Sequence, residues 1–497
     1  MSTSDSGNGK WYLLGGIAIG LGFGFYYYNY GKITSTEKSN EPTITINVTN
    51  NVQNITPKSD SDTPKQYSET NSLFTIPPTK PLTKAQRAKI SMIQMKLELY
   101  GELKKVKISK TAVTNKDVHD LVEVLRRNHK LKQLDIEDTV LSIEHIEQIC
   151  SLFDNNTSSI TDLNLSNTNL SSKHINIIAN SIKNNSSLKV LNLSHNDLSG
   201  NNNNNNNNIE TGNEINENDK SVDSLISNLS TLINLNVLNL NSTKINTNLL
   251  GKLNIVLENT TNLREMTMAF NDIDDNTIEL IKHGLFKNKS LIEIDLSFNK
   301  IGDKGVEILC EAMKEHNKIQ SINLSANKIT GKDKSMKLMS ELIINVKSIN
   351  TIELSSNNLE FSSLNFIINS LSESTLKVLK LDNCSLIDLH FNQIGQKINN
   401  KNINLHTIDI SNNKMENKET SIYFIDQLLM NEKLIEVYMI NMSITTDIIL
   451  YLANKLRNRK SNNKMIIDIR DNQLSENDQN NEDIKFCVHN NVLYVNN

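Results

Sequence analysis

An α/β solenoid, with a curved parallel sheet inside and helices outside, is the fold class this sequence predicts, and three observations predict it. Residues 291–318, LIEIDLSFNKIGDKGVEILCEAMKEHNK, hold a strand, a loop and a helix in one unit. Leu291, Ile294 and Leu296 alternate at their end as a short strand does. Val306, Leu309, Cys310 and Met313 fall at i, i+3, i+4 and i+7 on one helical face, with Asp303 placed to cap that helix. The same unit recurs along the chain. The slot of Asn299 is filled in turn by Thr111, Thr139, Thr168, Asn196, Thr243, Asn271, Asn299, Asn327, Asn357, Cys384, Asn413, Met442 and Asn472. Apart from one gap, these marks lie about 27 to 30 residues apart. Finally, neither strand nor helix can bury its apolar face alone, so the unit is stable only where copies stack.

The strand residues recur at each mark, as in Leu131, Leu134 and Ile136, or Leu188, Leu191 and Leu193, or Leu405, Ile408 and Ile410. This pattern resembles the leucine-rich repeat family, and the long helical half is similar to its ribonuclease-inhibitor-like subfamily. The resemblance covers roughly residues 97–474, with a solenoid of about 13 repeats over 101–474. It implies the fold and a generic binding surface, and it names no reaction.

Taken in order, residues 1–10 are a short polar tail, and residues 11–30 carry no charge. Twenty residues at helical rise span about 30 Å, the thickness of a bilayer's hydrocarbon layer. Trp11 and Tyr12 stand at one end, and Tyr26, Tyr27, Tyr28 and Tyr30 at the other, as interfacial aromatic belts do. The expectation is one retained transmembrane helix, because a cleaved signal peptide needs small residues where those tyrosines stand. Gly16, Gly20 and Gly24 form a small-residue stripe on it, suited to close packing with a second copy or another membrane helix.

Residues 31–82 are polar and lack a sustained period, which predicts a disordered linker. Thr83 with Gln86 makes a capping box for a helix over 83–100, placed to cover the first repeat. The gap in the period, between Asn196 and Thr243, holds an asparagine run at 201–208. Residues 199–220 are therefore expected to be a disordered insertion. At the C-terminal end, 475–497, Ile484, Phe486 and Val488 alternate, as do Val492 and Tyr494, which predicts a capping hairpin turning at His489, Asn490 and Asn491.

The 52 basic and 56 acidic residues give a net charge of −4, which offers no electrostatic footprint for nucleic acid. Cys150, Cys310, Cys384 and Cys487 are far apart, without metal-ligand spacing or the terminal clusters of extracellular repeat domains. The repeats are therefore expected to face the cytosol from a single-pass anchor, which is similar to those of mitochondrial outer-membrane proteins. Asn47, Asn54, Asn164, Asn192 and Asn323 begin N-x-Ser/Thr triplets and are expected to be unglycosylated on that orientation. His145, His174, His195, His283 and His390 have no paired nucleophile, so neither catalysis nor a metal or other cofactor is expected.

Function is then sought on strand positions facing away from the core, where a protein partner would dock. The candidate surface comprises Glu265, Phe270, Glu293, Asp295, Phe298, Asn323, Glu353, Asp409 and Tyr438. Phe270 and Phe298 occupy equivalent places in neighbouring repeats, as do Glu265 and Glu293, which suits a partner with an apolar knob and a basic rim. The competing reading folds both rings into their loops. The chain thus reads as a membrane-anchored interaction module, a scaffold or receptor. The alternative is a small-GTPase activator, which the similarity to the Ran GTPase-activating protein implies. Against it, no arginine stands in the early loops, and Arg126 and Arg127 fall on a helix face.

Overall fold

The computed structural model describes residues 43–46, 103–109, 113–156, 158–199, 217–245, 247–461, 463–475 and 477–495. The expected transmembrane helix at 11–30 with Gly16, Gly20 and Gly24, the capping helix at 83–100, Thr111 and the asparagine run lie outside them. Among the described residues no helix is long and apolar enough to cross a membrane.

Strands and helices alternate. The order is β1 (Thr43–Ile46), β2 (Lys105–Ser109), α1 (Asn115–Arg126), β3 (Gln133–Glu137), α2 (Ile143–Cys150), β4 (Asp162–Asn164), α3 (Ser172–Ile182), β5 (Val190–Asn192), α4 (Glu217–Leu229), β6 (Val237–Asn239) and α5 (Thr247–Asn259). It continues with β7 (Glu265–Thr267), α6 (Asp275–Lys287), β8 (Glu293–Asp295), α7 (Asp303–Met313), β9 (Ser321–Asn323), α8 (Asp333–Asn345), β10 (Thr351–Glu353) and α9 (Phe361–Ser370). The last repeats are β11 (Val378–Lys380), α10 (Asp388–Ile398), β12 (Thr407–Asp409), α11 (Lys418–Met430), β13 (Glu436–Tyr438), α12 (Thr446–Arg457), β14 (Ile466–Asp468), α13 (Glu482–His489) and β15 (Leu493–Tyr494).

The strands form a single 15-stranded sheet in sequence order, and every pairing is parallel. β2 and β3 bury two apolar residues each, Val106 with Ile108 and Leu134 with Ile136, and the shorter strands β4–β14 point their central residue inward, among them Met266, Ile294, Ile322 and Ile467, all buried against the helices. Val306, Leu309, Cys310 and Met313 face that core as the period required, joined by Gly305, Ile308 and Ala312.

Strands this short end because a side-chain ladder takes over the backbone hydrogen bonds. Asn299 donates from Nδ2 to the carbonyls of Met268, Leu296 and Ser297. Its Oδ1 accepts the N–H groups of Asn271 and Ile273 in the preceding repeat. Asn196, Asn271, Asn357, Asn413 and Asn472 bond in the same way. Other residues in the slot serve in part. The hydroxyls of Thr168 and Thr243 donate to Leu165 and Leu240, and the Cys384 thiol donates to Leu354. The acceptor role then passes to the backbone: the carbonyls of Thr243, Cys384 and Met442 take the N–H groups of Leu198, Leu359 and Met415. Part of the asparagine pairing is thereby kept where another residue fills the slot.

A second ladder, not anticipated from the sequence, stands at the helix-to-strand turns. Asn185, Asn288 and Asn431 accept the N–H groups two and three residues ahead. Asn288 and Asn431 also reach back to Leu257 and Ile398. His316 fills the same slot with Nδ1.

Asp303 departs from its expected role. The N-cap of α7 is Gly302, and the Asp303 carboxylate instead accepts from Gly331, Lys332, Thr330 and Ser335, capping the next helix, α8. Asp275 does the same for α7 through Gly302 and Gly305. Burial opposes ionisation of Asp303, but the hydrogen bonds from Thr330, Ser335, Lys332 and Gly331 outweigh it and hold its pKa below the ordinary value. A carboxylate depressed by folding stabilises above its unfolded pKa, and that stability is lost as pH falls through the folded one. Asp303→Asn is therefore expected to cost about 1 kcal/mol at pH 7. In guanidinium titrations the gap from the parent protein should close below about pH 3.9, the unfolded aspartate value.

Three further expectations are corrected. Thr43–Ile46, inside the expected linker, is β1, whose alternating threonine and isoleucine pair along β2 from Thr43 with Lys105 to Ile46 with Ile108. Residues 217–220 belong to α4 and not to the insertion. The C-terminal hairpin is a helix followed by a parallel strand: α13 buries Ile484 and Cys487, three apart, and β15 pairs with β14. Phe486 and Val488, which gave the alternation, are exposed.

Candidate functional site: the sheet face turned from the helices

On each strand the residues flanking the inward one face away from the helices, and parallel pairing lines them up as columns. In one column Glu265 lies beside Glu293, with Val237 before and Ser321 after. In the other, Asn239, Thr267, Asp295, Asn323, Glu353, Lys380, Asp409 and Tyr438 are successive neighbours. The candidate residues of both columns are thus on one surface.

The structure divides them by role. Asp295, Asn323 and Asp409 each accept, through Oδ1, the N–H two residues ahead, at Ser297, Ser325 and Ser411. Asn164, Asn192 and Asn239 do the same, so this position closes the strand end and is structural as well as surface-forming. Asp295, Asn323 and Glu353 are only 8%, 7% and 9% exposed. Glu353 pairs with Lys380 at 2.9 Å. Tyr438 is half-buried, and its hydroxyl donates to Glu436. Burial first, then the charges of Glu436, Asp409 and Asp468, push that hydroxyl up to about 12.

Across β7–β10 the surface is strongly acidic. Glu293 is pushed up to about 7, first by burial and then by the charges of Glu265, Asp295 and Glu353, with Lys380 opposing. Asp295 is also raised, chiefly by burial. Neighbouring carboxylates that raise one another leave a surface that gains from an incoming cation.

Phe270 and Phe298 stand at the strand-to-loop bend with φ of 59° and 53°. The rings do not fold into their loops. They stack on each other with centroids 4.1 Å apart and planes 10° from parallel, and Phe270 is 46% exposed. Every described repeat bends here in the left-handed region, and elsewhere the position holds Asp138, Asn167, His195, Ser242, Ala326, Ser356, Asn383, Asn412, Asn441 or Asp471. Several of these are joined by side-chain hydrogen bonds, from Asn441 to Asn412, from Asn383 to Ser356 and from Asn167 to Asp138. The conformation costs an L-residue about 1–2 kcal/mol and is easiest for Asn and Asp. Two adjacent phenylalanines are thus held where local preference disfavours them, which points to a surface role.

The other sequence candidates have structural partners. His145, His174 and His390 accept on Nδ1 from the backbone N–H groups of Ser142, Ser171 and Ile387 at helix starts, and burial lowers the pKa of each. Arg126 pairs with Glu123 on α1 and donates to Ser151 at the end of α2. The four cysteines are buried. Among the described residues no group of three or more His, Cys, Asp or Glu could hold a metal ion.

A continuous parallel sheet with helices between its strands, and an asparagine ladder at many of the bends, make this an α/β repeat solenoid. The chain matches no family model and no curated protein. Among solved structures it is similar to an internalin from Listeria monocytogenes at 15% identity, over 71% of this chain and 88% of that one, with a TM-score of 0.37. It is also similar to the actin-binding site 2 of leiomodin-1 at 18% identity, over 33% and 90%, with a TM-score of 0.27.

Proposed function

We propose that this chain is a leucine-rich repeat protein of the ribonuclease-inhibitor-like kind, held at a membrane by residues 11–30, whose cytosol-facing concave sheet binds a protein partner and carries no reaction. The observation behind the binding function is the pair of stacked phenylalanines at the edge of an acidic sheet. An exposed aromatic pair in a conformation unfavourable to it is a binding feature before it is a packing one. The uncharged stretch with aromatic ends at 11–30 supports the anchor, and the wide spacing of the four cysteines along the chain supports a reducing compartment.

The test is made in cells on the full chain. Alkaline carbonate should leave it in the membrane pellet, and deletion of residues 11–30 should release it. Partners that copurify should be lost on Asp409→Lys with Tyr438→Ala, and kept on Ile255→Asp with Leu280→Asp on the helices. A chain extracted by carbonate ends the anchor reading; losses confined to the helix variants end the concave one.

A further inference from the structure

The two flanks of the phenylalanine stack are small. Ser242 precedes Phe270 in the column at the bend, and Ala326 follows Phe298. Adjacent strands are spaced about 4.8 Å apart, which leaves the position over Ser242 open to one planar group lying on the outer face of Phe270. Glu265 lies five residues before Phe270, and Glu293 five before Phe298, which at strand rise is about 16 Å. Between them Thr267, on the face turned from the helices because Met266 and Met268 are in the core, has a fully buried hydroxyl with no hydrogen-bond partner.

We propose that β7–β10 and the stack form a docking site for an extended, arginine-containing segment of a protein partner, one guanidinium stacking on Phe270 over Ser242 and a second, about five residues away, lying against Glu265 and Glu293. Arginine is the residue that meets both halves: its planar cation stacks on ring faces and its fork matches carboxylates. Asp295 and Glu353 extend the negative field, and Lys380 is the cation that opposes it. This rests on the reading above only for the face that is used.

The experiment is fluorescence anisotropy with the full chain in nanodiscs. The probes are a labelled peptide Gly-Arg-Ser-Ser-Ser-Ser-Arg-Gly and its versions with lysine or glutamate in place of arginine. Binding is expected for arginine, several-fold weaker binding for lysine and none for glutamate. Phe270→Asn with Phe298→Asn installs the residue other repeats carry at this bend, so the fold persists, and should weaken the arginine probe at least tenfold. Affinity should rise from pH 6 to pH 8 as Glu293 ionises, and Glu293→Gln should flatten that rise. Equal binding of the arginine and glutamate probes, equal binding of arginine and lysine, or an unchanged affinity in the asparagine variant overturns the proposal. If the peptides fail while a protein partner still cross-links to the concave face, this inference falls and the interaction module stands.

Discussion

Replacing Asn299 with alanine is expected to lower stability by about 3 kcal/mol, a large loss for an uncharged side chain. The side chain makes three donations and two acceptances, all to backbone groups that water cannot reach. Each buried group left unpaired costs about 1–3 kcal/mol, so the full loss would be higher still. The protein shows how part of it is recovered. Where Thr243 or Cys384 fills the slot, the backbone carbonyl accepts the orphaned N–H. Asn299→Thr should therefore cost about half as much, because the hydroxyl restores one donation as Thr243 does to Leu240. Guanidinium unfolding followed by circular dichroism gives both numbers. A loss under about 1 kcal/mol for alanine would mean that the ladder accompanies the stack and does not hold it.

The second large effect comes from two glycines with opposite expected signs. A Cβ at Gly284 on α6 would lie 2.8 Å from the Asn254 Cα and 2.9 Å from the Leu257 Cβ on α5, and backbone cannot yield as a side-chain tip can. Gly284→Ala should cost about 2 kcal/mol by forcing the helices apart. At Gly251 the new Cβ would meet only Leu280 at 4.0 Å, an ordinary contact. Gly251→Ala should therefore gain about 0.5–1 kcal/mol from helix propensity. Differential scanning calorimetry on the pair reads both signs, and a stabilising Gly284→Ala would show that α5 and α6 are not packed this closely.

The repeat was legible because burial imposes two periods on one unit. Leu291, Ile294 and Leu296, then Val306, Leu309 and Met313, state the sheet and the helix in one line of sequence, and the Asn299 slot states the register. Less legible were features set between repeats. Asp303 looks like a cap for its own helix, and only stacking brings Gly331 and Lys332 to it. At the C-terminal end, Ile484, Phe486 and Val488 alternate by chance while helix spacing buries Ile484 and Cys487. The acidic columns were readable from register, yet the division of labour was not. The bonds from Ser297, Ser325 and Ser411 that tie Asp295, Asn323 and Asp409 to the bend depend on the fold. The phenylalanine equivalence was visible, and the face-to-face stack followed only from the left-handed bend.

The most direct measurement uses two tyrosines on opposite faces. Tyr438 lies on the sheet face turned from the helices, and Tyr423 is exposed on α11. A benzophenone side chain at each position in turn, irradiated in cells, should yield a defined protein adduct from 438 and none of that mass from 423. Adducts from 423 alone would contradict binding on the inner sheet.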